Sequence, residues 1–104
     1  MASEDRIEFV KSAEQDFDTA VAAIAKLGKA LDEFEGAQPA IARFAAYYGS
    51  SQWFDDLDAD EAGAFPADLK RGILTEDLPF DALEDHHALA LRMLEIATRA
   101  LKEE

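Results

Sequence analysis

The run Phe34-Glu35-Gly36-Ala37-Gln38-Pro39-Ala40-Ile41 decides how many helices the first half of this chain contains. Glycine is a common stop just past a helix end, and proline is pre-shaped for the first turn of the next helix. Together they predict a break at Gly36 to Gln38. One observation opposes the break. Upstream, apolar residues recur at Val10, Ala13, Phe17, Ala20, Ile24, Leu27, Leu31 and Phe34, in alternating steps of three and four. That is the period of a helix seam. The same seam continues in phase through Gln38, Ile41, Ala45 and Tyr48. A kinked single helix would keep that phase, whereas a chain that reverses has no need to. Two independent punctuators outweigh one phase argument. The sequence therefore predicts a helix over about residues 4–35, a turn, and a second helix over 39–48.

The first helix has a cap in Ser3 and acids, Glu4 and Asp5, where the positive end of the helix dipole favours them. Ile7 and Val21 widen its stripe, as a globular helix requires, and Glu8, Lys11, Gln15, Asp18, Lys29 and Asp32 occupy the opposite face. Some 32 residues at 1.5 Å each give a rod of roughly 48 Å.

Beyond Pro39 the chain changes character. Between Phe44 and Phe65 lie six of the ten aromatic residues, among them Tyr47, Tyr48 and the only tryptophan, Trp53. Gly49 stops the second helix, and Ser50 or Ser51 caps a short continuation over 51–61 that Gly63 ends. From Ala64 to Leu74 the spacing of Pro66 and Gly72 forbids a regular helix, and Ile73 and Leu74 are expected to plug a bundle end. Thr75 then caps a last helix over about 76–102, with Glu76 and Asp77 in its first turn and Pro79 early enough to be tolerated. Its seam is Phe80, Leu83, His87, Ala90, Leu94, Ala97 and Leu101. Leu89, Leu91, Met93 and Ile96 lie off that seam, so the helix is apolar nearly all round and must be covered nearly all round, by the middle segment or by a second copy. Glu103 and Glu104 are expected to fray. No strand pattern or repeat appears. The expectation is a single all-α domain over residues 1–104: an antiparallel three-helix bundle with a long N-terminal helix, a broken middle helix and a structured irregular loop before the last helix.

Composition narrows the function. With 23 acidic against 10 basic residues the net charge is -13, which repels phosphate backbones and anionic lipid. Nucleic acid is therefore not an expected partner. Nor is a membrane, since no stretch approaches the roughly 18 apolar residues of a spanning helix. The absence of cysteine fits a reducing cytoplasm, and the acidic start lacks the features of a signal peptide.

Motifs that carry chemistry are scarce. Asp56, Asp58 and Asp60 alternate as in a calcium loop, but the positions that need glycine and a bidentate glutamate hold Glu61 and Ala67. Restarting at Asp58 places Gly63 correctly but puts Ala62 and Leu69 where ligands belong. Glu84-Asp85-His86-His87 offers one Glu-x-x-His where a di-iron bundle needs two, and adjacent helical histidines point about 100° apart. A histidine packed near a bundle end explains His87. No metal site and no cofactor are expected. No catalytic trio appears, and the hydroxyls of Ser50 and Ser51 serve as caps. Asp68-Leu69-Lys70-Arg71 interrupts the acidic trend, either as a clasp on the acids between Asp55 and Glu61 or as a site for an anionic ligand or acidic segment.

The order Tyr47-Tyr48-Gly49-Ser50, Trp53, Asp60-Glu61-Ala62-Gly63, then Pro66 and Asp68-Leu69-Lys70-Arg71-Gly72-Ile73-Leu74-Thr75-Glu76 resembles a family of small bacterial proteins known as domain of unknown function DUF4298. Gln38-Pro39 and Arg92-Met93-Leu94-Glu95 fit the same pattern. The resemblance implies a small, all-helical bacterial protein and brings no activity. The expected function is a non-enzymatic module that binds itself or a protein partner through Tyr47, Tyr48, Trp53, Asp68, Lys70 and Arg71, because Trp, Tyr and Arg anchor interfaces. The alternative is a binder of a small anion, or an enzyme, that uses Lys70, Arg71 and the tyrosine pair.

Overall fold

The structure, a computed structural model, describes residues 3–103; the expectation of fraying at Glu104 lies outside them. Helix α1 spans Glu4–Tyr47, α2 spans Ser51–Glu61 and α3 spans Asp77–Lys102, with a 3-10 turn at Gly72–Leu74. No strand occurs among the described residues, and the all-α class expected from the sequence is the class observed.

The expected turn at Gly36 to Gln38 is corrected: α1 runs through it, with Pro39 inside the helix. Neither punctuator forbids this. An interior glycine costs about 1 kcal/mol relative to alanine, and an interior proline about 3 kcal/mol. Gly36 has no positive φ, unlike Gly49 and Gly63. Pro39 withholds the N–H that the Glu35 carbonyl would have accepted, but Glu35 lies on exposed surface where solvent can substitute. One turn earlier, Gln38 Nε2 donates to the Phe34 carbonyl at 3.3 Å. The seam that kept its phase across Gly36 was the correct signal.

The other boundaries fall where the local chemistry puts them. Ser3 Oγ accepts from Arg6 N at 3.3 Å and caps α1. Gly49, at φ 80, lets the chain leave α1 through a conformation costly for any side chain. Ser50 is then extended, and its hydroxyl accepts from Trp53 N at 3.2 Å to cap α2. Gly63, at φ 76, closes α2 in a double-bonded turn, with Ala64 N on Ala59 O and Gly63 N on Asp60 O, both 3.0 Å. Thr75 Oγ1 donates to Gly72 O at 2.7 Å and accepts from Leu78 N at 3.4 Å, joining the 3-10 turn to the start of α3. Pro79 is tolerated in the first turn of α3, where its missing N–H had no helical partner to lose.

The chain divides into two units, one up to Pro39 and one from Ala40 on, each described by itself. The first is a single helical segment. All of its described residues up to Glu33 are exposed, and Phe34, Ala37 and Gln38 are half-buried. The second holds the end of α1, α2, the loop, the 3-10 turn and α3, with Trp53 and Pro79 buried. Several residues expected on the apolar seams are exposed within their own units. Phe17 is 61% and Ile24 70% exposed on α1, and Leu94 66% and Leu101 70% on α3.

Candidate functional site

Trp53 organises the second unit. It is 3% exposed, and its indole Nε1 donates to the Ile73 carbonyl at 2.7 Å. This bond satisfies the ring's one polar atom and holds the 3-10 turn against α2. The Tyr48 and Phe54 rings meet it edge-on, each with its centroid 5.0 Å away, at 74° and 77°. Tyr48, just past α1, also donates its hydroxyl to the Glu76 carbonyl at 2.8 Å, tying the exit of α1 to the entry of α3. Tyr47 donates to Asp56 Oδ2 at 2.5 Å, tying the last turn of α1 to α2. The two adjacent tyrosines thus reach in different directions, as successive helical side chains must.

Arg71 closes the loop. Its Nη2 donates to the Pro66 carbonyl at 2.6 Å, and its Nε lies 2.9 Å from Asp60 Oδ1. The second contact is one of charge with charge, because the Nε–H is not aimed at the carboxylate and has no aligned acceptor. Both side chains are partly exposed, so solvent weakens the pair. Of the two sequence readings of this segment, the clasp is the one Arg71 makes. Asp68 and Lys70 are exposed. The six residues singled out in the sequence therefore divide. Tyr47, Tyr48, Trp53 and Arg71 lie at the junction of the end of α1, α2, the loop and the entry of α3, where Trp53 is buried. Asp68 and Lys70 stay outside it.

The Tyr47 phenol is pushed up from 10.0 to about 12, first by its hydrogen bond to Asp56, then by partial burial, then by the carboxylate's negative charge. A raised pKa means the folded chain holds this proton more tightly than the unfolded chain does. Its contribution to stability is complete below pH 10.0 and is lost as the pH climbs through about 12. An ultraviolet titration is expected to show one tyrosine ionising late, and Tyr47→Phe should remove that late step. A Tyr47→Phe curve that keeps it would contradict the Tyr47–Asp56 bond.

Among the described residues no group of three or more His, Asp or Glu is placed to hold a metal, and no helix is long and apolar enough to cross a membrane. The structure half-buries His86 and leaves His87 exposed, the reverse of what the α3 seam suggested. A surface depression along α3 is lined by Phe80, Leu83, Glu84, Asp85, His87 and Ala88.

The larger exposed features are the helix faces themselves. On α1, Ile7, Phe9, Val10, Phe17, Val21, Ile24, Leu27 and Leu31 are exposed; on α3, Leu78, Phe80, Leu89, Leu91, Leu94, Ile96 and Leu101 are. Isolated exposed apolar residues are ordinary, but a continuous stripe of large ones, such as Val10, Phe17, Ile24 and Leu31 on α1, marks an interaction surface; on α3 the exposed residues fall on two sides, Leu78, Leu89 and Ile96 on one and Phe80, Leu91, Leu94 and Leu101 on the other. The sequence assigned the α1 row to a core and left the α3 residues to be covered by the middle segment or by a second copy. The signal that separates the two cases is length: a three-and-four repeat sustained over four or more heptads is a coiled-coil signature.

A family model described as "Domain of unknown function (DUF4298)" matches residues 10–96. No curated protein and no solved structure matches the chain.

Proposed function

The chain belongs to the family described as domain of unknown function (DUF4298), and from its surfaces we propose that it is a non-enzymatic helical interaction module. Its Trp53 junction is the rigid part. Its binding parts are the apolar rows of α1 and α3. The observation that carries this reading is the exposure of the whole α1 row from Ile7 to Leu31. A helix in water gains most of its stability from packing its apolar face, not from intrinsic propensity. The segment up to Pro39 also carries two interior glycines, Gly28 and Gly36. A partner helix on that row supplies the missing packing. The aromatic junction is a poorer candidate surface, since its rings and guanidinium are engaged within the chain. A cytoplasmic setting belongs to the same proposal and is supported by the absence of cysteine.

The test is the double substitution Phe17→Ser with Ile24→Ser. If these side chains form a docking face, unfolding of the dilute chain should change by no more than about 0.5 kcal/mol, as for other surface positions. Trp53 fluorescence should also stay as it was. A loss of about 2–5 kcal/mol at every protein concentration is the signature of a deleted core side chain and would overturn the reading.

A further inference from the structure

The geometry points to a second copy of this chain as the occupant of the α1 row, lying antiparallel across it with the two-fold axis beside Ala22. This rests on the interaction reading above and names its partner, orientation and register.

Area comes first. The eight large apolar residues from Ile7 to Leu31 are between 42% and 75% exposed. At about 150–250 Å² for a fully exposed phenylalanine and about half that for an aliphatic side chain, they offer roughly 400–700 Å². A stable specific interface takes about 800 Å² from each partner. With the alanines between its members counted, the row approaches what a dimer needs.

Volume sets the direction. The first half of the seam is thin, with Ala13 and Ala20 alternating with Val10 and Phe17. The second half is full: Ile24, Leu27 and Leu31 are all large. A parallel pair would place Ala13 on Ala13 and Ala20 on Ala20, leaving voids, and would crowd the other end. Interiors tolerate neither. Reversing one copy sets Ala13 against Leu31, Phe17 against Leu27 and Ala20 against Ile24, and the two-fold axis repeats each layer. Every layer then joins a smaller residue to a larger one or spreads bulk evenly, which is how helices interdigitate. All three layers belong to one register, because the steps of three and four mirror each other about Ala22.

The flanks agree. In this register Glu14 lies opposite Gly28, Asp16 opposite Ala30 and Glu35 opposite Ile7, so no carboxylate beside the seam faces another. Phe9 reaches the small Ala37, and Val21 and Ala23 each meet their own copies at the axis. In a chain of net charge -13, this arrangement keeps acids apart where the two copies approach.

The chain has no cysteine, so single introduced thiols report pairing directly. The experiment uses the full chain carrying either Ala13→Cys or Leu31→Cys, oxidised alone and as an equal mixture, with products separated under denaturing conditions. Two Ala13 positions lie about 27 Å apart in the antiparallel pair, whereas Ala13 and Leu31 of opposite copies fall within the roughly 6 Å of a disulfide. The expected result is a mixed disulfide dimer in the mixture and at least a tenfold lower yield from either variant alone. Efficient self-linking of Ala13→Cys would establish a parallel pair and overturn the inference. No linked dimer in any sample would overturn the second copy as occupant. The interaction reading would still be judged by Phe17→Ser with Ile24→Ser, whose readout needs no second copy.

Discussion

Replacing Trp53 by alanine is expected to lower the unfolding free energy by about 3–5 kcal/mol, the range for removing a large buried aromatic. That is a large share of the roughly 5–15 kcal/mol that holds a small domain together. Three losses combine. The indole is 3% exposed, so its removal opens a cavity between α2 and the 3-10 turn. Tyr48 and Phe54 lose the ring they meet edge-on. The Ile73 carbonyl loses its 2.7 Å donor. The variant is best followed by helicity during urea unfolding, since its intrinsic fluorophore is gone. A loss of less than 1 kcal/mol would show that Trp53 sits on a surface and not in the junction. This differs from the expectation formed on the sequence, where Trp53 was a candidate anchor for a partner. In the structure, its partners are residues of its own chain.

The second large effect concerns the continuity of α1. Pro39→Ala is expected to stabilise the chain by about 2–3 kcal/mol, because it restores an N–H for the Glu35 carbonyl and removes the ring from a helix interior. The gain falls a little short of the full penalty, since alanine also frees the unfolded chain. Gly36→Ala should add about 0.5–1 kcal/mol, because nothing lies within 4 Å of the Cβ it would create. Both substitutions distinguish a helix from a turn by sign. If residues 36–38 formed a left-handed turn, alanine at Gly36 would strain it and proline at position 39 would be worth keeping. Destabilisation by either change in urea melts would contradict the uninterrupted helix.

What could be read from the residues, and what could not, follows from range. Caps and stops are local. Ser50 before Trp53, Gly63 after Glu61 and Thr75 before Asp77 each act within a few residues, and each works as its type predicts. The meeting of Tyr48, Trp53 and Phe54 was legible because these rings crowd within a few residues on either side of the Gly49 stop. The continuity of α1 was legible too, in the unbroken phase from Phe34 to Tyr48, but it was outweighed by residues whose cost a long helix can absorb. Burial was not legible. An apolar stripe looks the same whether its cover comes from its own chain or from another. His86 and His87 differ by one residue, and which of them is half-buried depends on packing that periodicity alone does not resolve. The partner of Arg71 was constrained only to an acidic stretch, from which the fold selects Asp60.

The claim on which the account turns is that the α1 row is an interface between molecules. Sedimentation of the unmodified chain from about 1 to 100 µM tests it most directly, since interfaces of this size span micromolar to much tighter affinities. The predicted result is a mass that rises with concentration from 11.4 kDa towards twice that value, and that stays at 11.4 kDa once Ile24 is replaced by Asp. A single-chain mass across the whole range for the unmodified protein would contradict it.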